Sequence, residues 1–170
     1  VILATGGKAT PSLGSNGTGY QLAKMLKMKV TNVLPGLVGV KVDDSSIKGL
    51  EGLRVKAHVS LYCKKKKDPV WENNGEVQFK SEAVSGIVIM DMATQIARAD
   101  NEKLFNASHF VLDLCPDMSL EDLTNYLINR QHDLVKYTNA NFLIGIFHKM
   151  LGTNILKRAK DLGDYLIVGV

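Results

Sequence analysis

Residues 53–63 hold the most regular pattern in the chain. Leu53, Val55, Ala57, Val59, Leu61 and Cys63 alternate with Arg54, Lys56, His58, Ser60 and Tyr62. A period of two puts the first set on one face and the second on the other, which predicts a half-buried strand. A charged turn follows at Lys64, Lys65, Lys66, Lys67, Asp68 and Pro69, and residues 76–79 return as a partner strand. The pair predicts an antiparallel hairpin within a small barrel or meander. Upstream, residues 1–3, 30–34 and 37–42 are short strand candidates, with a turn at Pro35-Gly36 and a polar, glycine-punctuated loop over 43–53. Residues 20–27 have helical spacing. Downstream, residues 86–99 are apolar on most sides and predict a buried helix. Residues 110–114 predict a strand stopped by Pro116. Ser119 with Asp122 three places on is a capping box opening a helix to about Arg130. Residues 141–151 and 154–160 predict two more helices, and 165–170 a last strand. The chain is thus strand-rich to about residue 80 and helix-rich over 117–162, an α+β pattern.

Composition narrows the class. With 45% apolar and 22% charged residues over 170 positions, the chain is one ordinary globular domain or two small ones, not a disordered tail. No apolar run approaches eighteen residues, so no membrane-spanning helix is expected. The net charge of +4 is a mild basic excess, and aromatics at 6% give no stacking platform for nucleic acid. Cys63 and Cys115 make neither a CxxC nor a zinc spacing, so a reducing cytoplasm is the simplest setting. The chain starts without Met inside an apolar run and ends in another. The expectation is an interior piece of a longer polypeptide. A complete domain whose terminal strands pair internally is the alternative.

The glycines at 6, 7, 14, 17 and 19 form a loop leading into the 20–27 helix, the kind of backbone that can approach a phosphate. Neither common nucleotide fingerprint is present. A P-loop would need glycine at Ile2 and Ser or Thr at Ala9; GxGxxG would need glycine at Leu22.

Longer stretches carry a family resemblance. Val-Ile-Leu-Ala-Thr-Gly-Gly at 1–7 resembles the second cofactor-contacting strand of two-dinucleotide-fold flavoproteins. Residues 6–23, GGKATPSLGSNGTGYQLA, resemble the GGxSYPxTGSTGDGYxLA segment of the BaiN-type, aminoacetone-oxidase-like bacterial NAD(P)/FAD-dependent oxidoreductases. LPGLVGV at 34–40 resembles that family's PALVPL. GEVQF at 75–79 with VSG at 84–86 resembles its GExLFTHxGxSGP, and LDLCPD at 112–117 its DLxPD. Departures are Thr10 for the aromatic, Thr18 for the acidic residue, Lys80-Ser81-Glu82-Ala83 for THxG, and Ile87 for the proline.

The resemblance implies that Ala4, Thr5, Gly6 and Gly7 lie nearest an FAD, with Ser12, Gly14, Ser15 and Gly17 behind them. It implies that Ser85 and Gly86 could aim a helix N-terminus at cofactor or substrate. It also implies a division into a remnant of the dinucleotide-binding α/β fold (1–33), a β-rich, barrel-like insert with one buried helix (34–116 and 163–170) and a helical bundle (117–162). The insert would cover the flavin and shape the substrate entrance. The family's GxGxxG turn and its Gly-Asp or Gly-Glu turn are not among these residues. The chain alone is therefore expected to bind no FAD and to be inactive, its partners being the other segments of the parent and that parent's small-molecule substrate.

The remaining candidates are weaker. His58, His109, His132 and His148 have no metal-ligand spacing, so no metal is expected. The lysine run could meet a phosphate but suits a solvated turn. Ser12, Ser15 and Ser85 have no His–Asp partners in sequence, Asp113 and Asp117 suit capping, and both cysteines suit core packing. A non-enzymatic module binding a protein or RNA is the competing class; the flavoprotein reading leads to no nucleic-acid or membrane partner.

Overall fold

In the computed structural model, residues 1–42, 45–63, 67–98, 108–132 and 141–161 are described. They fall into two units, Val1–Gly36 and Leu37–Val170.

The alternating segment is the central strand of the larger unit. Strands β1 (Val40–Lys41), β2 (Arg54–Cys63), β3 (Trp71–Phe79), β4 (Ala83–Ser85) and β5 (Ser108–Asp113) form one antiparallel sheet in the order β1-β4-β3-β2-β5. It is curled into a half-barrel. Register follows from the alternation: Val55 faces Val77, Ala57 faces Gly75, Val59 faces Leu112 and Leu61 faces Phe110. A slip of one residue would turn every one of these side chains out to solvent. Ala57, Val59, Leu61, Val77, Phe79 and Val84 form the buried concave face.

Helix α2 (Ile87–Arg98) fills that concavity with Val88, Ile89, Met92 and Ala93. Its approach to β3 depends on Gly75, where a Cβ would stand 2.7 Å from the Cβ of Val88. At the strand-to-helix turn Gly86 has φ +104, and a Cβ there would overlap the Glu76 carbonyl oxygen. Helix α3 (Leu120–His132) opens on the expected cap: the Asp122 N–H donates to Ser119 Oγ at 3.0 Å, and Ser119 Oγ donates to Asp122 Oδ2 at 2.6 Å. Helix α4 (Lys149–Asp161) places Leu151 in the core, with Ile155 packed against it.

Several expectations need correction. Strand β3 begins at Trp71, five residues before 76, because pairing with β2 overrides the poor strand propensity of Asn73, Asn74 and Gly75. Residues 30–34 form no strand, and 37–42 shrink to β1. Residues 1–3 are extended but find no sheet partner among the described residues. Residues 141–147 are turns, not helix, with Gly145 at φ +92. The two expected C-terminal helices are one, running unbroken through Gly152, where a Cβ would press to 3.1 Å on Leu143 Cβ. The lysine turn at 64–66 and the segment 163–170 lie outside the described residues.

The smaller unit holds a 3₁₀ turn (Pro11–Leu13) and helix α1 (Thr18–Met25). Helix α1 ends with Met28 N–H bonded to Ala23 O at 3.0 Å and Lys27 N–H to Lys24 O at 2.9 Å, which forces Lys27 to φ 58. This is the six-to-one, five-to-two closure that glycine normally completes.

Candidate functional site

The glycine loop folds back on the segment before it. Gly6, Gly14 and Gly17 all have positive φ, at 71°, 92° and 83°. The Gly17 N–H donates to Gly7 O at 3.1 Å, and Ser15 N–H to Thr10 O at 3.2 Å. These two bonds close the loop into a flat double-backed turn ahead of α1. The first free N–H of that helix, on Thr18, is taken by Asn16 Oδ1 at 3.2 Å.

Side chains explain the glycine spacing. The Tyr20 ring wedges into the turn: a Cβ on Gly17 would lie 3.3 Å from Tyr20 Cδ2, and one on Gly7 would lie 3.5 Å from its hydroxyl. A Cβ on Gly19 would overlap Thr5 Oγ1. Thr5, Gly6, Gly7, Ser15 and Gly17 are thus drawn together; at Gly6 a Cβ would have Ser15 Oγ 3.9 Å away. Ser12 and Gly14 sit at the exposed far end, with nothing near Gly14. Ala4 precedes the turn on exposed backbone.

Among the described residues, none of the N–H groups of Ala4, Thr5, Gly6 and Gly7 donates a hydrogen bond. Four successive open donors flanked by minimal side chains can line the polar edge of a planar ring system or an anion. At the α1 N-terminus the Thr18 N–H is already taken by Asn16, so it is not open to a pyrophosphate.

Sequence reasoning counted Gly19 in the loop but gave no site role to it, to Tyr20 or to Lys8, whose aliphatic stem lies over Gly17. The Gly-Tyr pair two places after Gly17 was the available signal; its meaning needed the contact with Thr5. Ser85 is 2% exposed inside the sheet, and the exposed residue at the start of α2 is Ile87.

Elsewhere, His58 lies between two partners, with Nδ1 2.9 Å from Asn74 Oδ1 and Nε2 3.5 Å from Glu72 Oε2. The His109 ring stacks on Tyr62 at 5.3 Å. No group of three or more His, Cys, Asp or Glu side chains suited to a metal occurs among the described residues. Burial pushes the Cys115 thiol pKa up, and the Asp113 carboxylate adds to it, the reverse of what a reactive thiolate needs. No helix among the described residues is long and apolar enough to cross a membrane.

The chain thus carries a glycine loop with open backbone donors, a curled sheet and a helical segment. The profile of the HI0933-like protein barrel and H2TH domain matches residues 34–164, and the chain belongs to this BaiN-type flavoprotein family. Helices α3 and α4, separated by the turns at 141–147, fall within the matched span. The chain is also 32% identical over 160 residues to a 3-dehydro-bile acid delta(4,6)-reductase of Clostridium scindens. That match covers 92% of this chain but 37% of the relative, so the chain spans little more than a third of the relative's length.

Proposed function

We propose that these residues are the insert region, with one preceding cofactor-contacting segment, of an FAD-dependent oxidoreductase. The observation that carries this reading is the run of open N–H donors on residues 4–7, held in place by the Gly19–Thr5 contact. On this reading residues 1–33 belong to the FAD-binding fold, 34–116 with 163–170 form the β-rich insert, and 117–162 form the helical part. The insert covers the flavin face and shapes the substrate entrance. The parent is cytoplasmic and completes the site with its own pyrophosphate turn. When bound, FAD supplies hydride transfer, drawn from NAD(P)H and passed to a small substrate, in line with the reductase named for the relative.

Within that scheme the chain's own residues position and exclude. Ala4, Thr5, Gly6 and Gly7 offer backbone donors to one edge of the isoalloxazine. Of Ser12, Gly14, Ser15 and Gly17, the last is tied to the segment by its N–H bond to Gly7 O, and the others complete the loop beside it. Donors fixed before binding favour a bound negative charge without reorganising.

The test uses the full-length parent. Gly19→Val should leave it folded but lower FAD retention after gel filtration at least about tenfold, the loss of one or two charge-assisted contacts. A full-length parent that purifies without flavin and takes none up would end the proposal, as would unchanged retention in the variant. Stoichiometric FAD binding by the present chain alone would overturn its dependence on the missing cradle.

A further inference from the structure

We propose that the glycine loop favours the reduced, anionic state of the flavin ring over the oxidised one, and that Lys8 supplies the charge that does so. The inference rests on the flavin reading of residues 4–7 and adds a redox preference to it. Two electrons and one proton, drawn from the NAD(P)H donor of that reading, turn the neutral ring of FAD into a monoanion. A protein tunes such a couple by the hydrogen bonds and the charge it places beside the ring.

Charge is spread unevenly along this chain. Residues 1–36 hold Lys8, Lys24, Lys27 and Lys29 and no Asp or Glu, and the first carboxylate side chain is that of Asp43. The rest of the chain carries as many cations as carboxylates, so the net charge of +4 resides wholly in the Val1–Gly36 unit.

Within that unit Lys8 follows directly on the open donors of residues 4–7. Its side chain folds back over the loop. A Cβ on Gly17 would lie 3.4 Å from both Cγ and Cδ of Lys8 and 3.3 Å from Tyr20 Cδ2, so the lysine stem and the tyrosine ring crowd one side of the same glycine. Gly17 is in turn bonded to Gly7 O at 3.1 Å, which ties the lysine stem to the donor segment. Lys8 makes no ion pair among the described residues. The N–H dipoles and the ammonium therefore act in one direction, with no carboxylate in the unit to oppose them. Lys8 is exposed, and water screens its charge. A planar guest laid on the loop excludes part of that water and strengthens the attraction. The oxidised ring carries no net charge for the lysine to act on; the reduced ring does.

The experiment measures the midpoint potential of FAD in the full-length parent by equilibration with a redox dye, alongside the affinity for oxidised FAD. Lys8→Met should weaken the preference for the reduced form at least about tenfold, which lowers the potential by about 30 mV for a two-electron couple. Affinity for oxidised FAD should fall less than affinity for the reduced form, and Lys8→Arg should keep the potential of the unaltered parent. Lys24→Met removes an equal charge from the end of α1 and should leave the potential in place. A merely structural role for Lys8 would weaken both redox forms alike and not move the potential. An unmoved potential in Lys8→Met, an equal shift in Lys8→Arg or an equal shift in Lys24→Met overturns the inference while the flavin reading stands; a parent that takes up no flavin overturns both. Should Lys8→Met not fold, the unaltered parent decides. With the anion held, one proton accompanies two electrons and the potential falls by about 30 mV per pH unit near about pH 6, whereas a fall of about 60 mV, two protons for two electrons, refutes the inference.

Discussion

Replacing Gly75 by alanine adds one methyl where β3 and α2 touch. The new Cβ would stand 2.7 Å from Val88 Cβ, 3.2 Å from Cγ1 and 3.4 Å from Cγ2. Val88 is 2% exposed, and the adjoining Ile89 and Met92 are fully buried, so α2 must lift as a unit. Overpacking of this kind costs about 1–3 kcal/mol. Loss of glycine's freedom in the unfolded chain returns about 0.4–1 kcal/mol. The net expectation is a destabilisation of about 1.5 kcal/mol, or a fall in Tm of about 3–6 °C for a chain of this size.

The second substitution makes the geometry testable. Val88→Ala removes both Cγ atoms but keeps the Cβ that makes the shortest contact. It should therefore rescue Gly75→Ala only in part, because the two residues touch and the Cβ contact remains. Val88→Gly removes that Cβ, and its cost should be partly offset by Gly75→Ala. Urea unfolding read from Trp71, the single tryptophan and packed against the core, reports all five variants, three single and two double. Gly36→Ala is the control, since nothing lies within 4 Å of a Cβ there. If Gly75→Ala proves as stable as Gly36→Ala, or if neither Val88→Ala nor Val88→Gly offsets any of its cost, the close approach of α2 to β3 is not what holds this glycine.

Three further outcomes are expected. Lys27→Gly should raise stability by up to about 1 kcal/mol, because it relieves a left-handed lysine at the end of α1; thermal melts measure it. Ser119→Ala removes the cap of α3 and should cost about 1 kcal/mol, with faster amide exchange at Asp122 and Leu123. Asp113→Asn should lower the raised thiol pKa of Cys115 and speed its alkylation near pH 8, since removing a negative neighbour favours the thiolate. The gain should be partial, because burial is the larger cause and stays.

Periodicity alone settled the central strand. The alternation over 53–63 specified which side chains face inward, and the register of β2 against β3 and β5 followed from burying that face. The buried helix at 86–99 and the cap at Ser119 were equally legible, because each is a local pattern of side chains acting on its own backbone. The glycine loop was visible as a run of residues free to adopt positive φ, and its motif pointed to the flavoprotein family.

Contacts between distant segments decided the rest. Asn73, Asn74 and Gly75 are poor strand formers and became strand only because β2 offered hydrogen bonds along their length. The expected break between the C-terminal helices is absent: one helix runs through Gly152, whose bare Cα lets Leu143 approach α4. Gly19 owes its identity to Thr5, fourteen residues earlier, and Gly75 to Val88 on the next helix. The apolar groove lined by Val84, Met92, Phe110, Leu112 and Ile155 has no sequence signature at all. Apolar residues at strand and helix spacing announce that they will be buried, but the space left between them depends on how far the curled sheet and α4 can close, which only the assembled fold determines.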